Sequence, residues 1–413
     1  MQDFSYFCGM AGIYIHIPFC KSKCGYCGFY SLPSLKLKDR FLDALKTEIV
    51  VRKDYLQREP HCGLDPQSPA LKDSHNPTTI NTVYFGGGTP SLLGADEIEG
   101  LMHIIKAHYP VAENAEITLE ANPDTLSPNY LKALRKTGIN RLSIGIQSFF
   151  DNDLKYLSRR HDSDHAQLSI EWALQAGFNN LSIDLIYGLP TSNAEQWNRN
   201  LDIFFEYGLP HLSAYALTLE PNAILTKQIE QGKALPVNED DALRDYEILC
   251  QRAKENGYLH YEISNFCKSG MHSKHNSSYW FGTPYLGLGP SAHSFNGASR
   301  QWNVSNVEDY CDALLSPSRN SGACPTVGKA LKEKELLSPE QQYDEYVMLR
   351  LRTHWGIDLK WLKREMGERF SGYCQQQAQP LIAQGRLTQT REFLHLTDRQ
   401  MLFADGIAEE LFW

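Results

Sequence analysis

Short aliphatic and β-branched runs alternate with helix-length segments through the first half of this chain, and that alternation restricts the fold more than any other feature. Six runs have strand character: Ile13–Ile17, Thr82–Phe85, Glu116–Glu120, Arg141–Ile146, Leu181–Ile186 and Leu212–Leu217. Between most of them lie helical patterns at Lys38–Leu56, Ala95–Ala107, Pro128–Lys136, Ala166–Ala176 and Ala194–Tyr207. Strand, helix, strand repeated in this way predicts an α/β fold on a parallel sheet, because parallel neighbours need a crossover long enough to hold a helix.

The alternation has one interruption and one end. Glu59–Thr79 holds prolines and polar residues without a period and reads as a surface insertion, with Cys62 inside it given no role. After Leu219, Glu220 and Pro221 the repeat stops. A helix around Asp240–Asn256 leads to a Gly-, His- and aromatic-rich stretch at His272–Ser294, then a loop at Ser316–Thr326. From Ser338 the chain reads helical at Ser338–Thr353, Leu359–Met366 and Phe370–Gln384. A β ribbon at Arg386–Thr397 and a last helix from Asp398 complete what looks like a small winged-helix domain. Such domains often bind DNA, but fold alone does not carry function.

Composition narrows the setting. The 413 residues suffice for a barrel with an appended domain. No run of eighteen apolar residues is present, so no membrane span is expected. The first residues include Asp3 and lack a basic segment, unlike a secretory or transit signal. Ten cysteines, three of them clustered, suit a reducing cytoplasm better than a disulfide framework. A formal charge of −9 argues against nucleic-acid binding by the whole protein.

The clustered cysteines are Cys20, Cys24 and Cys27. Thiolates this dense on one loop are metal ligands more often than packing residues. A structural zinc site closes with four ligands, and here a zinc loop would have to borrow a distant fourth. Three thiolates on a four-iron cluster leave one iron open. The motifs Gly86-Gly87-Gly88-Thr89-Pro90, Leu119 to Pro123, Ile144 to Gln147 and Ile183 to Pro190 fall mostly at strand ends. The C-terminal ends of barrel strands build active sites, so Cys20, Gly86–Thr89, Glu120, Gln147 and Asp184 are expected at one mouth.

The Cys-x3-Cys-x2-Cys spacing, with Tyr14-Ile-His16-Ile-Pro18-Phe-Cys20 before it, resembles the coproporphyrinogen oxidase-like (HemN/HemW) branch of the radical S-adenosylmethionine superfamily. The resemblance runs from about Gly12 to the C-terminus and implies an open (β/α)6 barrel. It implies a [4Fe–4S] cluster on Cys20, Cys24 and Cys27, with S-adenosylmethionine on the open iron. It assigns Tyr14, Gly87, Gly88, Thr89, Glu120, Gln147, Arg159 and Asp184 to that cofactor. Arg159 can fork onto a carboxylate, and Asp184 can accept from hydroxyls. The alternatives are a plain strand-to-helix turn for the glycines, structural ion pairs for the two acids and a core tyrosine for Tyr14. The implied organisation is a core barrel over 1–235, an extension and linker over 236–325, and a C-terminal helical, winged-helix-like domain over 326–413.

Two features separate the members of the branch. The oxidase has a fourth cysteine two positions after the third, where this chain has Phe29. The chain also has His275-Asn276-Ser-Ser-Tyr279-Trp280, the HNxxYW pattern of the heme chaperones. Imidazole ligates iron and flat rings cover a macrocycle, so His275 is the candidate heme ligand, with His272 and His293 as alternatives. A histidine satisfied inside an aromatic core is the other reading of His275. The resemblance implies a heme chaperone that passes heme to an acceptor protein, with an electron donor for the cluster. The runner-up is the radical enzyme, oxygen-independent coproporphyrinogen III oxidase, so enzymatic activity stays open.

Overall fold

The computed structural model describes residues 10–56, 78–316 and 330–413. Most of the insertion read at Glu59–Thr79, most of the Ser316–Thr326 loop, and Cys8, Cys62 and Cys324 lie outside them. Six strands, β1 (Met10–Ile17), β2 (Thr79–Gly87), β3 (Val111–Ala121), β4 (Arg141–Gln147), β5 (Asn180–Tyr187) and β6 (His211–Ala216), lie side by side in chain order. All five neighbouring pairs are parallel. Helices Lys38–Val51, Ala95–His108, Pro128–Leu134, Ser163–Gln175 and Ala194–Glu206 make the crossovers. The (β/α)6 expectation is therefore met, and β4 is buried along its whole length, as a central parallel strand should be.

The sheet continues beyond the six. β7 (Leu259–Glu262) and β8 (Asn265–Cys267) form an antiparallel hairpin on the β6 edge. On the other edge β9 (Tyr285–Leu288) runs parallel to β1, making a seventh parallel strand. Antiparallel β10 (His293–Phe295), β11 (Ser299–Asn303) and β12 (Leu331–Leu336) follow it. The twelve-stranded sheet runs from β12 at one end to β7 at the other, so among the described residues it is open.

The first helix shows how the new edge is fastened. Its apolar stripe buries Phe41, Leu42, Leu45 and Ile49, with Glu48 on the same face. Glu48 is fully buried and accepts from Arg52 Nη1 (3.3 Å), Asn303 Nδ2 (2.8 Å), Gly289 N (2.8 Å) and Tyr310 Oη (2.6 Å). Arg52, the residue that follows the helix, also donates to Gly287 O at 2.9 Å, and the helix ends at Val51, short of the expected Leu56. One carboxylate thus ties the first helix to β9, to β11 and to the helix Val307–Leu315. Removing it leaves several buried donors unpaired, so Glu48→Ala is expected to cost about 3–5 kcal/mol. Denaturant unfolding measures this, and a loss below about 1 kcal/mol would show that the network organises nothing.

The C-terminal unit has its own core, built around Tyr343, Val347, Leu351, Leu362, Phe370, Cys374, Leu394 and Leu411. Helices Pro339–Leu351, Leu359–Met366 and Glu368–Ala383 precede the ribbon β14 (Leu387–Thr390) and β15 (Phe393–Leu396). The short β13 (Ile357–Asp358) pairs with β15, and a final helix spans Ala404–Glu409, giving the expected winged-helix-like arrangement. This unit meets the barrel at Phe281, whose ring lies under the Arg350 guanidinium at 4.5 Å and beside Trp355 at 4.9 Å. No helix of the described residues is long and apolar enough to cross a membrane.

Candidate functional site

The β1 and β2 ends position the cysteine loop. Their parallel pairing is extended by Gly88 N to Ile17 O (2.8 Å) and Thr89 N to Phe19 O (2.7 Å). Cys20 N bonds Leu32 O at 3.0 Å and Leu32 N bonds Pro18 O at 2.7 Å, closing the loop at its base. The glycines serve this approach. A Cβ on Gly88 would stand 2.6 Å from Phe19 O, and one on Gly87, where φ is +109°, would stand 2.7 Å from the His16 ring. The Gly87 and Gly88 backbone therefore clamps the cysteine loop. Thr89 faces it directly, with Oγ1 donating to Cys20 Sγ at 3.5 Å.

Cys20, Cys24 and Cys27 are partly exposed free thiols. Burial pushes the Cys27 thiol up, and the neighbouring Cys24 and Cys20 add to it. Among the described residues no three His, Cys, Asp or Glu side chains converge as the ligands of a single ion do. The role of the thiols therefore rests on donor chemistry and surroundings. Those surroundings are cationic: Arg159 Nη1 donates to Cys24 Sγ at 3.4 Å. Arg159 Nη2 donates to Asn122 Oδ1 (2.7 Å) and Gly145 O (2.8 Å), while its buried Nε has no partner. An unpaired buried donor on a guanidinium suits an anionic neighbour, as thiolates or a carboxylate would be. Cys24, Thr89, Asn122 and Arg159 line one open polar pocket. Thiolate sulfur is the donor that iron–sulfur clusters use, and the residues present fit such a group.

The other expected residues follow around the same mouth. Gln147 ends β4 in the left-handed region at φ +68°, beside a register shift that re-aims its side chain. Glu120 is held from two sides, by Tyr84 Oη at 2.8 Å and Gly87 N at 3.2 Å. Burial pushes its carboxyl up to about 7, against the pull of those two donors. Asp184, on β5, accepts from Ser143 Oγ at 3.2 Å and is pushed up to about 6, again by burial. Neither acid forms a direct ion pair among the described residues, but the buried Arg141 charge acts on both and pulls their carboxyls down against burial. Tyr14 donates or accepts at His16 Nδ1 (3.2 Å), and its phenol is pushed up by burial and by Glu120. Tyr26, inside the cysteine loop, lies within electrostatic reach of Arg159, Cys24, Cys27 and Asp184.

The sequence reading missed Asn122 and Tyr84. Asn122 lies in a motif already noted, and its Nδ2 donates to Thr89 Oγ1 at 3.1 Å, joining β2 and β3 loops across the pocket. Nothing in Tyr84 distinguishes it from an ordinary strand tyrosine.

His275 sits apart from the mouth. It lies on the helix Lys274–Trp280 and is 1% exposed. Nδ1 meets Thr82 Oγ1 at 2.8 Å and Nε2 meets Tyr279 Oη at 2.9 Å. Burial pulls its pKa down to about 3, so the ring is neutral. In this arrangement neither nitrogen is presented to a ligand. His272 has a buried Nε2 without a partner, whereas His293 is exposed and stacks on Trp302 at 5.5 Å. Phe29, on the rim of the cysteine loop, is 70% exposed.

Comparison with known proteins gives the class first. The Radical SAM superfamily matches residues 69–204, and the HemN C-terminal domain matches residues 337–403. In structure, the chain is similar to coproporphyrinogen III oxidase (HemN) from Escherichia coli, with a TM-score of 0.78 over 100% of this chain and 94% of that one. At 22% identity that likeness speaks for the fold alone. Sequence relatives are nearer. Heme chaperone HemW of Mycobacterium tuberculosis is 32% identical over 97% of this chain and 94% of its own length. HemW of Bacillus subtilis is 31% identical, covering 96% and 98%, and HemW of Escherichia coli is 32% identical, covering 96% and 97%. The chain belongs to the HemW family of the radical SAM superfamily.

Proposed function

We propose that this protein is a heme chaperone, which binds heme and passes it to an acceptor protein, and which carries a [4Fe–4S] cluster and S-adenosylmethionine at the barrel mouth. The observation that carries this reading is 31–32% identity to HemW proteins along nearly the whole chain. Phe29 points the same way, because a large exposed ring replaces the oxidase's fourth cysteine beside the cluster loop. The negative charge of −9 supports a protein that leaves nucleic acid alone, and the free thiols support a cytoplasmic setting. An electron donor for the cluster belongs to the same reading. So do the divisions at 1–235, 236–325 and 326–413.

Cys20, Cys24 and Cys27 would hold the cluster. Arg159 would meet the cofactor carboxylate, with Asn122 and Gly145 O fixing the guanidinium. Glu120 would accept from the amino group and Asp184 from hydroxyls, with Tyr14, Gly87, Gly88, Thr89 and Gln147 around them. Cluster and cofactor together supply one-electron cleavage of a sulfonium carbon–sulfur bond. The chain's part is to orient the groups and to keep water out of a mouth where Glu120 and Asp184 are already desolvated.

Heme ligation at His275 requires the ring to leave Thr82 and Tyr279, because both nitrogens are engaged. Titrating heme into the reconstituted protein, alongside an assay for coproporphyrinogen decarboxylation, tests the reading. Stoichiometric heme binding without porphyrinogen product is expected. Robust product would replace the carrier with the oxidase. His275→Ala is expected to change the heme spectrum, and an unchanged spectrum would move the ligand to His272 or His293.

A further inference from the structure

The helix carrying His275 packs on β1 and β2, and its histidine, though apart from the mouth, lies against Tyr84, the residue that holds Glu120. His275 is fixed at three points. Its backbone N donates to Glu116 Oε1 at 3.0 Å, and its ring is held by Thr82 and Tyr279. Thr82 and Tyr84 are alternate residues of β2 and share one face. Anchored on Thr82, the ring lies flat against Tyr84, with centroids 4.9 Å apart and planes at 23°. Tyr14 covers Tyr84 at 6.1 Å and 27°. The Tyr84 hydroxyl then donates to Glu120.

Two glycines make the room. A Cβ on Gly12 would stand 2.8 Å from Thr82 Oγ1 and 3.3 Å from the His275 ring. A Cβ on Gly86 would stand 2.9 Å from the Tyr14 ring, 3.0 Å from Tyr84 and 3.2 Å from Glu120 Oε1. The backbone is therefore shaped to let these rings and this carboxylate converge.

We propose that His275 is a positioning residue of the S-adenosylmethionine site: it fixes the Tyr84 ring, and the Tyr84 hydroxyl fixes the Glu120 carboxylate. The inference rests on the reading of Glu120 as a cofactor residue. It gives the histidine of the HNxxYW pattern a task inside the barrel. Any event that withdraws the ring from Thr82 and Tyr279 opens space beside Tyr84 and frees the tyrosine to tilt away from Glu120. Binding free energies linked through one element act in both directions, so the helix of His275 and the mouth report on each other.

The test is S-adenosylmethionine affinity of the anaerobically reconstituted full chain, by equilibrium dialysis, in Tyr84→Phe, His275→Ala, His275→Phe and the double variant Tyr84→Phe/His275→Ala. Glu120→Gln serves as the control. Tyr84→Phe removes one oxygen and keeps the stack, and is expected to weaken binding about tenfold. His275→Ala is expected to weaken it by a similar factor, and His275→Phe, which restores a ring against Tyr84, to recover most of the loss. If the histidine acts through the hydroxyl, the double variant binds no worse than Tyr84→Phe alone, whereas a merely structural role would add. Wild-type affinity in Tyr84→Phe or in His275→Ala, with Glu120→Gln impaired, would overturn the inference. Wild-type affinity in Glu120→Gln would instead overturn the cofactor reading beneath it.

Discussion

Replacing any one of Cys20, Cys24 or Cys27 by alanine is expected to abolish the iron–sulfur chromophore, with loss of bound iron and sulfide. The same change at Cys250, Cys267, Cys311 or Cys374 is expected to leave it intact. The contrast has a physical basis. The first three thiols are partly exposed, on one loop, beside the Arg159 guanidinium. Cys267, Cys311 and Cys374 are buried in cores, and burial pushes their thiols up to about 12, about 11 and about 11. A thiol held protonated in an apolar core neither attacks nor ligates. Cys250 is half-buried on the helix Glu239–Glu255, with its Sγ 3.9 Å from His260 Nδ1. Visible absorbance together with iron and sulfide analysis decides the matter. Dependence on any of the four remote cysteines would mean a fourth protein ligand and a cluster with no open iron.

Where sequence reading succeeded, local chemistry was enough. β2 and β5 are apolar, β-branched runs ended by glycines, and such runs announce buried parallel strands. Parallel strands carry their C-terminal ends to one side: Thr89 follows β2, Glu120 lies near the end of β3 and Gln147 ends β4, whereas Asp184, expected at a strand end, sits inside β5, three residues before its last. Where it fell short, the deciding interactions were distant in the chain. β9 is four residues of Tyr-Leu-Gly-Leu between Pro284 and Gly289, and it becomes a strand because β1 lies open beside it and Glu48 fixes Gly289. β7 has no apolar alternation, and pairs because β8 does. His275 reads in sequence as a residue beside aromatics. Its engagement with Thr82, 193 positions away, is visible only in three dimensions. Arg159 was named only because the family resemblance implies it. The carbonyl of Gly145 and the amide of Asn122 that aim it were not legible.

The affinity for S-adenosylmethionine is expected to rise with pH across neutrality. Glu120, pushed up from 4.5 to about 7, and Asp184, pushed up from 3.8 to about 6, are both raised by burial in the ligand-free protein. A carboxyl that still holds its proton offers an ammonium group only a neutral carbonyl oxygen and no charge, so binding favours the ionised form and releases protons. Below about pH 6 both acids oppose binding, and each contributes up to about a tenfold loss per pH unit. Stability of the ligand-free protein should run the other way. The native state keeps these protons to higher pH than the unfolded chain, so the contribution of Glu120 falls as pH rises from 4.5 to about 7 and is fully lost above it. The cofactor should restore that loss by neutralising the ionised acid. Glu120→Gln removes the titration and one charge-assisted hydrogen bond, costing on the order of 1.5–3 kcal/mol, or roughly ten- to a hundredfold in affinity at about pH 8. Asp184→Asn should do the same through its own lower transition. Binding by dialysis between about pH 5 and 8.5, with thermal melts of the free and loaded protein at each point, measures both signs. A flat wild-type profile would take Glu120 and Asp184 out of contact with the cofactor. A rising profile that Glu120→Gln flattens near neutrality, and that Asp184→Asn does not, would place the ammonium at Glu120.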